Sequence, residues 1–175
     1  MIFGSTACAL TIAAIAHAKL GSIGAADIKF LAKGPGGLSI NGSTTGFEAK
    51  EDGGTLTLSA NLSNIKTGIG MRDKHTKKAL KTDSHGKAIM KVKRSDLKMP
   101  DNNKVSQGTA KADLTIAGKT QKVDIKYQAK RTGSDYHVQG ATTIDYTKFI
   151  EEQCYLGVCV DHEVKIKANF KLREK

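Results

Sequence analysis

Tryptophan is absent from this 175-residue chain and aromatic residues are scarce, with five Phe and four Tyr. They are not interleaved with the basic residues, so the stacking platforms of single-strand nucleic-acid binders are missing and nucleic acid is not an expected partner. No apolar run reaches the roughly 20 residues that a membrane-spanning helix needs. Local signatures of catalysis are missing as well. No Ser or His stands in a nucleophile elbow, and the chain has no glycine-rich phosphate loop, no His-Glu-x-x-His and no Cys-x-x-Cys. Neither an enzyme nor a bound cofactor is therefore expected. Acidic residues are in deficit, with 17 Asp and Glu against 28 Lys and Arg, a formal net charge of +11. That imbalance draws a protein toward anionic surfaces such as lipid headgroups, phosphates or acidic polymers. Internal repeats, low-complexity tracts and linkers are also lacking, which points to a single domain.

What is present begins with a short apolar run, Ala7 to Ala16, ending in Ala16, His17 and Ala18, the small-x-small pattern of a cleavage site. Residues 1–18 read as a signal peptide cut before Lys19, and a second cut, after Ala26, fits the same rule. Such a leader sends the protein to the periplasm or outside the cell. The first turn lacks the Lys or Arg of an n-region, which keeps open a buried N-terminal helix in a cytosolic protein. Cys8 does not make a lipoprotein site, because Ser5 stands where Leu belongs and the apolar run follows it.

Without the leader two cysteines remain, Cys154 and Cys159. In an oxidising compartment a lone pair this close reads as a local disulfide. Its chain-entropy contribution is about 2 kcal/mol, enough to clamp a loop but not to frame a fold. Cys154, Cys159 and His162 together also suggest soft-metal ligation. The spacing supplies no usual fourth ligand, so no metal is expected.

The rest of the chain alternates with period 2. Leu56, Leu58, Ala60 and Leu62 oppose Thr55, Thr57, Ser59 and Asn61, and Val164, Ile166, Ala168, Phe170 and Leu172 oppose Lys165, Lys167, Asn169, Lys171 and Arg173. Similar patterns cover Lys87 to Leu97, Lys111 to Ile116 and Lys122 to Lys130. Shorter ones cover Asp27 to Lys33, Leu38 to Ser43 and Tyr136 to Ile144. About eight half-buried strands separated by Gly-rich and polar turns predict an antiparallel all-β domain over residues 27–175, an eight-stranded barrel or a sandwich. One segment changes period. Ile69 to Lys81 reads as a helix, with Met71, His75, Ala79 and Leu80 on one side and Arg72, Lys74, Lys77, Lys78 and Lys81 mostly outside. Asp73 near the helix start suits the dipole, and His75 falls where the apolar side meets the barrel, a structural rather than catalytic placing.

Arg72, Asp73 and His75 in a helix between two long strands, then Leu114 to Val123, then Tyr155 to Ile166, resemble motifs of the YceI-like family in the family's order. The likeness runs from about Asp27 to Leu172. It implies a periplasmic or secreted lipocalin-like barrel that holds a polyisoprenoid, such as an isoprenoid quinone or a polyprenyl lipid. Periodicity alone fits a packed core better, and the resemblance reverses that preference. On the implied reading the tail lies against Phe30, Leu58, Leu62, Met90, Leu114, Ile116, Ile125 and Tyr127. The headgroup then meets Ile69, Met71, Arg72 and His75 of the helix, and Tyr146, Phe149, Tyr155 and Leu156 of a later loop. Peripheral contact with an anionic membrane surface accompanies this picture. The alternative is a packed β-domain that uses its basic exterior on an anionic surface or partner.

Overall fold

The computed structural model describes residues 18–155 and 157–175, apart from the side chains of Pro35 and Tyr155. The leader read over residues 1–18 therefore lies, save for Ala18, outside the described residues. Eleven strands and one α-helix follow in the order β1 (Leu20–Lys33), β2 (Ser39–Thr44), β3 (Phe47–Asp52), β4 (Thr55–Asn61), α1 (Gly70–Ala79), β5 (Lys87–Lys93), β6 (Val105–Ile116), β7 (Lys119–Thr132), β8 (Asp135–Asp145), β9 (Cys154–Tyr155), β10 (Val158–Cys159) and β11 (Glu163–Glu174).

Nine of these strands form one antiparallel sheet, and the pairing of β11 with β1 closes it. The ring β1-β3-β4-β5-β6-β7-β8-β11 has the eight staves that the alternation predicts. Strand β2 lies along the same flank of β1 as β3: residues Ile28 to Lys33 pair with β2, and Gly21 pairs with Lys50 of β3. The two strands thus act as one stave broken at Thr45 and Gly46. Gly46 has φ +82, which an L side chain rarely adopts, so the break is written into the backbone.

Several boundaries differ from the pattern: β5 ends at Lys93 rather than Leu97, β6 begins at Val105 rather than Lys111, and three further differences bear on the barrel. The first strand starts at Leu20 rather than Asp27. Leu20 is 2 % exposed in the core and pairs with Glu174. The barrel therefore includes residues that a cut after Ala26 would remove. A bulge between Ile23 and Asp27 interrupts the alternation there and hides the strand. The second difference is β3, which sequence reading misses because its inward positions are Phe47, Ala49 and the charged Glu51. The third is the helix, two residues shorter at its C-terminal end than predicted. It presents Met71 to solvent at 71 % exposure, and His75 is exposed too. The expected apolar side does not face the barrel. Polar contacts of Asp73 and the packing of Leu80 anchor the helix instead.

Inward side chains form two layers. The lower contains Leu20, Leu56, Val92, Ala110, Ile125, Tyr136, Phe170 and Leu172, and the upper contains Leu62, Ile65, Leu114, Ile116, Ile144 and Phe149.

Candidate functional site

A cavity of about 110 Å³ lies within the lower layer. One side is formed by Leu56, Leu58, Met90 and Val92 of β4 and β5. Ile125 and Tyr127 of β7, Val138 and Gly140 of β8, and Ala168 and Phe170 of β11 form much of the rest. Three hydroxyls belong to lining residues, and each is used elsewhere. Thr142 donates to the Asp124 carbonyl at 2.9 Å, Tyr136 donates to Glu174 Oε1 at 2.7 Å, and Tyr127 accepts from the Lys98 amide at 2.5 Å. What faces the space is hydrocarbon. Room comes from an inward glycine: a Cβ built on Gly140 meets nothing within 4 Å.

Charge closes the floor. Glu51, 5 % exposed, accepts from Arg94 Nη1 at 2.7 Å and from the Leu20 amide at 3.0 Å. Arg94 also reaches Glu174 Oε1 at 3.4 Å, and Arg131 donates to Glu174 Oε2 at 2.9 Å while stacking 5.2 Å over the Tyr136 ring. Burial and the Glu174 hydrogen bond push the Tyr136 phenol up to about 12. The long charged side chains span the barrel end and satisfy one another, so no bulky apolar residue is needed to seal it.

The side wall has a weaker seam. Strands β5 and β6 share only the pairs Ile89–Thr115, Met90–Leu114 and Lys91–Asp113. Residues 94–104 cross the remaining gap and place Leu97 and Met99 in the cavity lining. At its centre this strap is held by the Tyr127 hydroxyl on the Lys98 amide and by Ser106 Oγ donating to the Lys98 carbonyl at 2.5 Å.

Of the residues named from sequence, the structure brings Leu58, Met90, Ile125 and Tyr127 to the cavity. Leu62, Leu114, Ile116 and Phe149 belong to the upper layer, with Phe30 packed against it and its ring lying over Gly42. Met90 touches both layers. Tyr146 is buried as a staple of the β8–β11 connection. Its hydroxyl donates to the Val160 carbonyl at 3.2 Å and accepts from the Gln153 amide at 3.0 Å. Ile69, Met71 and His75 lie on the surface, away from the lining. Arg72 Nη2 donates to the Thr67 carbonyl at 2.7 Å, and Asp73 accepts from both the Thr67 amide and hydroxyl at 2.6 Å. Those bonds hold the Asp73 carboxyl below its ordinary range, and Arg72 and Asp73 fix the loop before α1. Leu156 and the Tyr155 side chain lie outside the described residues.

Cys154 and Cys159 are joined by a disulfide across the β9–β10 hairpin. His162 contacts Glu152 at 2.6 Å, which raises the imidazole above its usual value. Sequence reading did not assign Leu97, Met99, Val138 or Gly140 to the site. A usable signal existed for Gly140, since an isolated glycine at an inward strand position marks either close approach or open space.

Comparison with known proteins agrees with this architecture. A polyisoprenoid-binding domain from Saccharophagus degradans implicated in plant cell wall breakdown superposes with a TM-score of 0.76 at 13 % identity, covering 91 % of this chain and 100 % of that one. Burkholderia cenocepacia BcnA gives a TM-score of 0.65 at 15 % identity, covering 83 % of this chain and 95 % of that one. A mutant CJ YCEI protein for nanotechnology applications gives 0.57 at 14 % identity, covering 78 % and 85 %. At these identities the likeness is one of fold. No curated protein matches the sequence. The family model of the YceI-like domain matches residues 22–172, nearly all of the barrel, and the chain is therefore a member of the YceI-like family.

Proposed function

We propose that this protein is an exported carrier or buffer for a long apolar lipid of the isoprenoid type, with the tail inside the lower half of the barrel. The observation that carries the reading is a cavity whose lining hydroxyls are all turned to protein partners. Such a space has nothing to fix a polar substrate, but it gains roughly 0.8 kcal/mol for each CH₂ it takes from water. The lining also lacks an acid–base pair or a nucleophile beside a base, so binding rather than turnover follows. The polyisoprenoid named for the Saccharophagus degradans domain supports the ligand class, and the leader pattern supports export.

Size sets a condition. A cavity of about 150 Å³ takes one benzene-sized group, and this one is smaller. A long tail therefore enters only as a wall moves, and the strap at residues 94–104 is the wall with the fewest backbone ties. At the other end, exposed Ile69 and Met71 beside Lys66, Lys74 and Lys78 suit peripheral contact with an anionic bilayer.

The deciding experiment is native mass spectrometry of the protein purified from its own host, before and after delipidation. A bound apolar lipid that leaves on delipidation is expected. Gly140→Phe, which fills the open space, is expected to fold and to arrive without lipid. Recovery of unliganded wild-type protein alone overturns the proposal.

A further inference from the structure

Four exposed amides stand side by side on the outer wall. Gln107 pairs with Gln128, Gln128 with Gln139, and Gln139 with Asn169, so one row crosses β6, β7, β8 and β11. At ordinary interstrand spacing the row is roughly 14 Å long. Two residues away along the strands, on one side, Lys126 and Lys167 flank Ala141. On the other side Lys130, His137 and Lys171 lie in direct register. A groove of about 490 Å³ follows this surface, lined by Val105, Gln128, Lys130, His137, Gln139 and Asn169 among others.

Part of the charge on these strands is already neutralised. On the same strands Lys111 is paired with Asp124, Lys122 with Asp113, Lys165 with Glu163 and Arg173 with Asp135. Among the described residues, Lys126, Lys130, Lys167 and Lys171 have no carboxylate partner, and the four amides make no side-chain hydrogen bond within the protein. Lys130 and Lys171 sit two strands apart, about 10 Å, beyond the roughly 8 Å screening length at physiological ionic strength, so their mutual repulsion is felt mainly at low salt. A polyanion laid across the two basic rows is attracted by all four lysines.

The central row decides what kind of anion. Amides both donate and accept, so they match a chain carrying many hydroxyls as well as acidic groups. A protein partner of ordinary composition wants an apolar centre, and the only large exposed apolar side chain here is Val105 at the rim. A bilayer-binding face carries several apolar side chains to insert, and Val105 alone does not supply them. Single-stranded nucleic acid wants aromatic platforms, and the face carries none. We infer that this face, the groove together with the lysines beside it, binds an acidic polysaccharide, with the amide row on sugar hydroxyls and the two lysine rows on carboxylates. This face lies across the sheet from the lipid cavity, with Val138 and Phe170 lining both, and its binding does not depend on the lipid.

Calorimetric titration of the purified protein with polygalacturonate tests the site, with neutral dextran and phosphatidylglycerol vesicles as parallel probes. Saturable binding to polygalacturonate that weakens with salt is expected, and dextran is expected to bind far less. Gln128→Ala with Gln139→Ala leaves the charge unchanged and is expected to weaken binding about tenfold through lost hydrogen bonds. Lys130→Ala with Lys171→Ala is expected to weaken it by a similar about tenfold. Lys74→Ala with Lys78→Ala removes the same charge from α1 and is expected to change it by less than about twofold. All three pairs are exposed, and circular dichroism confirms their folding. The inference is overturned by absence of binding, by an α1 pair as damaging as the groove pair, or by an amide pair without effect. Vesicle binding that depends on the groove lysines as strongly as polygalacturonate binding assigns the face to a bilayer and also overturns it.

Discussion

The lower and upper halves of the barrel share staves but are closed by opposite means. Above, Leu62, Ile65, Leu114, Ile116, Ile144 and Phe149 fill the interior, with Leu80 and Tyr146 sealing the connections. Below, the end is sealed by Glu51, Arg94, Glu174 and Arg131, and the hydrocarbon above that seal encloses open space. A charged lid reaches across a barrel mouth on long side chains and binds to itself. An apolar lid must fill the volume beneath it. The contrast explains how one small barrel keeps a packed half and a hollow half.

Breaking the charged lid has the largest expected effect. Arg94→Ala leaves Glu51 buried and unpaired, and a loss of about 3–5 kcal/mol is expected in urea unfolding. The double variant Glu51→Leu with Arg94→Met is expected to recover much of it. A single variant that loses less than about 1 kcal/mol shows that the seal is not a buried ionic unit.

The two apolar halves separate next. Phe149→Ala empties packed volume above and is expected to cost about 3–4 kcal/mol. Gly140→Val adds volume below and is expected to shift stability by less than about 1 kcal/mol, because nothing stands in its way. Equal losses at the two positions would erase the distinction between the halves.

Reducing the Cys154–Cys159 bond sharpens the contrast by leaving both halves intact. At most about 2 kcal/mol is expected to be lost, with an unchanged far-ultraviolet spectrum, because the bond closes a small hairpin outside the barrel.

Smaller still is the effect of pH at α1. The Thr67 hydrogen bonds lower the folded-state pKa of Asp73, so its stabilisation is present above the unfolded value near 3.9 and is lost as pH falls through the depressed one. The wild-type melting temperature is expected to fall more steeply below about pH 4 than that of Asp73→Asn, measured across the acid range. Parallel curves would show that the Thr67 contact carries no linkage.

The stave count, the single helix and its place between β4 and β5 were readable in sequence, because alternation reports a wet face and a dry face residue by residue. Strand β3 was not, since Glu51 occupies an inward position that alternation reserves for an apolar side chain. The face of α1 was misassigned for a related reason: Asp73 is buried there, while Met71 and His75 are exposed. The site was legible in part. Leu58, Met90, Ile125 and Tyr127 announced themselves as inward residues, but the same pattern marked Leu62, Leu114 and Ile116, which pack against one another.

By itself, then, the sequence determined a basic, aliphatic, antiparallel all-β domain, because the sign and period of its side chains leave few other ways to bury them. The choice of a closed barrel over a sandwich came with the pairing of β11 and β1. Which inward residues surround open space was decided only in three dimensions. A void depends on what stands opposite: Gly140 faces nothing, Glu51 finds Arg94 from 43 residues away, and Leu97 and Met99 reach the interior from a strap outside the strands. Periodicity records the direction of each side chain and holds no information about the distance to the far wall.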